Sequence, residues 1–129
     1  SRLYVVAYSK QYQNRGNKYK AVKQTFNGRT YHSKKEAAYA QQLELRKLAG
    51  EVKEIKPQHK LPLYVNDKLI CNYYIDFKVT LTNNTIELIE VKGFSTDLFR
   101  VKWKLTEALL YAGQIKGEDP EITKLILVR

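Results

Sequence analysis

The apolar positions of this chain follow two periods. Residues 73–79 (YYIDFKV) and 86–91 (IELIEV) are aromatic and β-branched runs with Asn83-Asn84 between them, a pattern that predicts a β-hairpin over 73–93. Residues 33–49 have helical spacing instead, opened by Ser33 and stopped by Gly50. In that helix Tyr39, Ala40 and Leu43 share a side with Glu36, whereas Leu45, Leu48 and Ala49 lie away from it. A second helix is expected from Asp97 to about Ala112, capped by Ser95 or Thr96. Its Leu98, Val101, Leu105, Ala108, Leu109 and Ala112 recur at i, i+3, i+4, i+7 and predict the core stripe, with Phe99 and Trp103 on a different face.

The remaining segments are shorter. Residues 3–8 form either a strand or an ordered arm, and 19–26 alternate as a strand does. Asn27-Gly28 is a strong hairpin turn signal leading into 29–31. Residues 51–65 predict one or two strands, interrupted by Pro57 and Pro62 and therefore at a sheet edge. Residues 65–68 read as a turn and 122–128 as a buried last strand. The expectation is a single α/β domain over 1–129, with 1–17 a candidate basic arm. No apolar run reaches the ~18–20 residues needed to cross a bilayer, so no membrane partner is expected. The single Cys71 rules out an intrachain disulfide and fits an intracellular, cytoplasmic setting.

Charge sharpens the picture. The net charge is +10, and residues 1–35 hold nine Lys or Arg and no Asp or Glu. Tyrosines 4, 8, 12, 19 and 31 are interleaved with them. Basic residues alternating with aromatics suit phosphate contact and base stacking, so nucleic acid is the expected partner. Lys18, Lys20, Arg29, Lys34 and Lys35, with Lys102 and Lys104 on the second helix, are the candidate nucleic-acid contacts. A solvated basic surface is the structural alternative.

The hairpin carries candidate chemistry: Asp76 on its first strand, Glu90 and Lys92 on its second. Residues two apart on a strand share a face, so Glu90 and Lys92 project together. Two carboxylates can hold a hard divalent cation, and a lysine can orient or deprotonate an attacking water and offset phosphate charge. The acidic-x-Lys pattern occurs four times, and an ordinary salt-bridged sheet face is the alternative at this point. The spacing also makes a geometric demand. A two-residue turn at Asn83-Asn84 would oppose Phe77 to Glu90 and put Asp76 on the wrong side. Convergence of Asp76 with Glu90 requires a register shift of one, through a three-residue loop or a bulge. Ser33-Lys34-Lys35-Glu36 is a capping box. Glu36 is therefore either a helix cap or a third carboxylate facing the hairpin. His59 reads as a solvated strand residue.

An early helical glutamate, then strands, an Asp, a Glu-x-Lys, a basic helix and a final strand: this order resembles the PD-(D/E)XK nuclease superfamily. SKKEA at 33–37, YIDF at 74–77 and IEVKGF at 89–94 are similar to a phage-associated family of uncharacterised nuclease-like proteins. The same order, with Gln58 ahead of the hairpin, is similar to the endonuclease subunit of certain cut-and-paste transposases. The resemblance implies a restriction-endonuclease-like αβββαβ core, a central mixed sheet flanked by helices. It implies a Mg2+ or Mn2+ cofactor on Asp76, Glu90, the Val91 carbonyl and Glu36, with Lys92 as catalytic lysine. Ile75 stands where the signature proline would be, a departure from the pattern.

The expected activity is metal-dependent endonucleolytic hydrolysis of DNA, with branched DNA among the candidate substrates. Cutting two strands needs two active sites, which makes a homodimer one expected arrangement. The alternative is a non-catalytic nucleic-acid-binding module on the same fold. A third reading is a structural subunit whose basic arm contacts an acidic protein.

Overall fold

A computed structural model describes residues 5–9, 24–26, 29–31, 33–115 and 122–129. The elements run β1 (Val5–Ser9), β2 (Gln24–Phe26), β3 (Arg29–Tyr31), α1 (Lys34–Leu48), β4 (Val52–Val65), β5 (Lys68–Leu81), β6 (Ile86–Val91), α2 (Asp97–Tyr111) and β7 (Ile122–Val128). β4, β5, β6 and β7 are neighbours in a mixed sheet that β1 extends beside β7, in the order β1-β7-β6-β5-β4. β4, β5 and β6 run antiparallel in succession, whereas β7 is parallel to both β6 and β1. A parallel neighbour needs a crossover, and α2 supplies it between β6 and β7. This α/β arrangement is consistent with a restriction-endonuclease-like core. β2 and β3 form a separate two-stranded ribbon with Phe26 opposite Arg29, so their loop has the two residues the Asn-Gly signal predicts.

Both helices start and stop where local chemistry dictates. The Ser33 hydroxyl accepts from the Glu36 N–H at 3.1 Å, and Thr96 does the same for Phe99. Each helix ends on a glycine with positive φ, Gly50 at 85° and Gly113 at 69°. The N–H groups of Gly50 and Glu51 bond the carbonyls of Lys47 and Arg46, and Gly113 and Gln114 repeat the pattern on Leu110 and Leu109. These paired bonds satisfy carbonyls that the helix end would leave orphaned.

β4 is one unbroken strand through both prolines, and it lies at the sheet edge as they predict. It turns into β5 over Asn66 and Asp67, with φ of 49° and 67°. Positive φ at both central residues matches the right-handed twist of the flanking strands.

Two apolar clusters flank the sheet. Ala37, Ala40 and Leu43 of α1 pack on Val52, Phe77, Val79, Ile89 and Val91. On the other face Phe99, Trp103, Leu109 and Leu110 of α2 pack on Leu61, Leu63, Tyr73, Ile75, Leu88 and Leu125. The second helix thus corrects the expected stripe in part: Leu109 is buried and Leu105 packs against the same cluster, but Ala108 and Ala112 are exposed. Leu98 and Val101 are each 64% exposed, whereas Phe99 and Trp103 are buried with ring centroids 5.9 Å apart. Each aromatic buries ~150–250 Å². The orientation that covers two of them outweighs one that covers Leu98 and Val101.

Tyr73 and Ile75 bury on the α2 face, yet Phe77 and Val79, of the same parity, bury on the α1 face. β4 does likewise: Ile55 packs on the α1 side, and Leu61 and Leu63, of the same parity, on the α2 side. The β4–β5 register is unchanged between Pro57↔Phe77 and His59↔Ile75. Both strands therefore change face together at the intervening pair, Gln58 and Asp76. Gln58 has a φ of 51°, in the left-handed region that costs a non-glycine residue roughly 1–2 kcal/mol.

Candidate active site

The β5–β6 turn brings Asp76 to Glu90. Leu81 N–H bonds Thr85 O and Asn84 N–H bonds Leu81 O, closing a three-residue loop over 82–84 in which Asn84 has a φ of 69°. Pairing then runs from Thr80↔Ile86 to Phe77↔Ile89, which sets Asp76 against Glu90. The one-residue shift that convergence demands is present, made by loop length and a left-handed asparagine. Beyond Phe77 and Ile89 the two strands stop pairing. The Val91 N–H, whose turn it would be to bond the Ile75 carbonyl, donates instead to Asp76 Oδ2 at 2.8 Å.

Four elements, α1, β4, β5 and β6, meet at this opening. From α1, Glu36 is 4% exposed, and its Oε2 accepts from Gln58 Nε2 at 3.0 Å. The same nitrogen donates to Asp76 Oδ1 at 3.2 Å. From β6, Glu90 is 3% exposed; its Oε1 accepts from the Tyr73 hydroxyl at 3.0 Å, and its Oε2 lies 3.3 Å from Lys92 Nζ. Lys92 sits at the strand end with its Nζ 4.6 Å from the Phe99 ring centroid, and its N–H bonds Val128 O at 2.8 Å. Glu36 is thus not forced to choose: its amide is capped by Ser33 while its carboxylate turns to the sheet.

Three carboxylates face one ammonium, and burial makes that imbalance costly. Burial, with the Glu90 and Glu36 charges added, pushes Asp76 up to about 9 against the opposing pull of the Val91 N–H. Burial also raises Glu90, against the opposing effects of Lys92 and the Tyr73 hydroxyl. Tyr73 is raised by burial and by Glu90, so it stays a donor. Excess buried negative charge of this kind fits a hard divalent cation. Among the described residues, no group of three or more His, Cys, Asp or Glu side chains stands ready to hold a metal ion. Gln58 fills the space between two of the acids, and Lys92 is on the third.

The chain belongs to the family Protein of unknown function (DUF1064), whose model matches residues 16–117. The match spans Glu36, Gln58, Tyr73, Asp76, Glu90 and Lys92. No curated protein and no solved structure matches the chain.

The candidate nucleic-acid contacts of the DUF1064 domain are spread more widely. Lys18 and Lys20 lie outside the described residues, and Arg29 is placed only by its backbone in β3. Lys34 is exposed at the first position of α1, Lys102 is half-buried and Lys104 exposed on α2. Lys35 differs: its Nζ is buried and has no hydrogen-bond partner among the described residues. Burial and the nearby Arg129 charge both lower its pKa. Arg129 directly follows Val128, which anchors Lys92, so these cations gather where α1 begins and β6 and β7 end. His59 pairs opposite Ile75 on β4, outside the acid cluster. Another buried acid, Glu87, faces Arg46 at 3.7 Å and Lys124 at 3.9 Å and is a structural charge on the α1 side. Tyr73 had no sequence signal, because its hydroxyl reaches Glu90 only through the change of face at Asp76. None of the helices described is long and apolar enough to cross a membrane.

Proposed function

We propose that the DUF1064 domain is a divalent-metal-dependent endonuclease that hydrolyses DNA phosphodiester bonds, and that it is a member of the PD-(D/E)XK nuclease superfamily. The observation that carries this reading is the meeting of Glu36, Asp76, Glu90 and Lys92 where β5 and β6 part. Asp76, Glu90 and Glu36 would hold Mg2+ or Mn2+, with the Val91 carbonyl as a further ligand. The bound ion would supply Lewis acidity at a phosphoryl oxygen and a more acidic water. Lys92 contributes its remaining N–H donors to orient that water and offset charge on the phosphate. Glu90 and the Phe99 ring hold the ammonium in place for that role. Arg129, exposed at the end of β7 beside Lys35, suits a phosphate oxygen on the strand being cut. The basic first quarter of the chain adds affinity for DNA that should fall steeply with salt.

The test is cleavage of plasmid, single-stranded and branched DNA with Mg2+ or Mn2+, comparing wild type with Asp76→Ala and Lys92→Ala. Loss of cleavage in both variants is expected; equal activity in all three refutes the site. The closed network of Gln58 and Lys92 on the acids favours a second reading, a non-catalytic nucleic-acid-binding module. Under that reading the wild-type chain binds DNA and takes up no Mn2+.

A further inference from the structure

Gln58 is the residue this site explains least. Glutamine has no intrinsic preference for the left-handed region, yet Gln58 holds a φ of 51° in the middle of a long strand. Such strain persists where the surroundings fix it, and it gathers at functional positions. Here it sets the side chain between two acids from different elements. One nitrogen, Nε2, serves Glu36 Oε2 at 3.0 Å and Asp76 Oδ1 at 3.2 Å. A partial positive charge thus stands between two carboxylates, in a place suited to a cation.

We propose that Gln58 is the cation's placeholder and then its ligand. In the metal-free chain its amide hydrogens hold Glu36 and Asp76 together. When a hard divalent cation enters, the carboxamide turns over and presents Oε1. The inference rests on the metal-dependent reading above. Amide oxygen is a suitable donor for Mg2+, Mn2+ and Ca2+, and the terminal torsion of glutamine is broad and roughly two-fold, so turning over is cheap. The exchange also explains why the acids are bridged instead of lying open. The bridge keeps two carboxylates close without a metal, and removing it asks only for a rotation of one amide. The backbone strain sets the reach, because the change of strand face at Gln58 and Asp76 aligns their side chains with Glu36.

Mn2+ uptake measured by electron paramagnetic resonance, alongside thermal unfolding in EDTA, tests the role. Gln58→Asn keeps a residue that tolerates positive φ but is one methylene too short. Its Mn2+ affinity is expected to fall about tenfold or more, as for other changes near a bound metal. Gln58→Glu keeps an oxygen and adds charge; it should bind Mn2+ at least as tightly as wild type while unfolding at lower temperature in EDTA. Equal Mn2+ affinity in wild type and Gln58→Asn, with both folded, overturns the inference and leaves the nuclease reading standing. Loss of Mn2+ binding in Gln58→Glu, when that variant remains folded, also overturns it. No Mn2+ uptake by wild type overturns the nuclease reading and this inference with it.

Discussion

Asp76→Asn should make the metal-free protein more stable at neutral and alkaline pH while abolishing the proposed DNA cleavage. The sign follows from where the proton sits. Asp76 has an ordinary value of 3.8, and the fold raises it to about 9. Between those values the folded chain binds a proton that the unfolded chain releases, so folding stability falls as pH rises. One proton corresponds to about 1.4 kcal/mol per pH unit, or about 3 kcal/mol between pH 6 and pH 8. Glu90, also raised by burial, acts in the same direction. For a domain of this size 1 kcal/mol moves the midpoint by roughly 3–5 °C, so the expected loss is about 10 °C. The substituted carboxamide carries no charge and its oxygen can still accept the Val91 N–H, so the variant should lose much of this pH dependence.

The assay is thermal unfolding of both proteins in EDTA at pH 6 and pH 8, followed by circular dichroism. Wild type should melt below the variant at both pH values, and further below it at pH 8 than at pH 6 by about 10 °C. Saturating Mn2+ should then raise the wild-type midpoint at pH 8 and leave the variant unmoved, since a ligand stabilises only the state that binds it. Parallel curves for the two proteins in EDTA would refute the argument. They would mean that Asp76 is ionised in the fold and that its charge is already balanced.

Two further outcomes follow from single contacts. Tyr73→Phe removes the hydroxyl that donates to Glu90 and lowers its pKa, so the pH midpoint of Mn2+ uptake should move upward, and an unchanged midpoint counts against that hydrogen bond. Asn84→Ala places a side chain that disfavours positive φ at a φ of 69° and should cost about 1 kcal/mol in urea unfolding, whereas Asn84→Gly should cost little, since both lose the Lys53 contact but only alanine is strained.

The most local features were the most legible. Ser33 and Gly50 specify the start and stop of α1 through bonds within a few residues, and these bonds form as the sequence implies, while the Glu36 carboxylate of the expected capping box turns to Gln58. The shifted register of the β5–β6 hairpin was legible for a different reason: side-chain parity is binary, so a working pair at Asp76 and Glu90 allows only certain loops. The buried face of α2 was not legible. Its Leu98/Val101 stripe and its Phe99/Trp103 pair are both apolar at helical spacing. The choice between them depends on which surface of the sheet lies beneath, a tertiary fact. The change of face in β4 and β5 was hidden as well, because Tyr73, Ile75, Phe77 and Val79 alternate as though they lined one side.

That hidden change of face makes the site possible. In a flat sheet Glu36 on the α1 side and Glu90 on the α2 side would be separated by the backbone itself. A residue at the point where a strand passes from one face to the other is near both. Asp76 occupies that point on β5 and Gln58 on β4. Asp76 consequently senses the charges of Glu36 and Glu90 together, which residues fixed to opposite faces of a sheet seldom do. The DUF1064 match covers both strands at this point and both helices that flank it, so the crossing and its acids fall within one family unit. Restoring regular alternation, by relieving the left-handed turn at Gln58, would disperse the cluster even with all four charged residues intact.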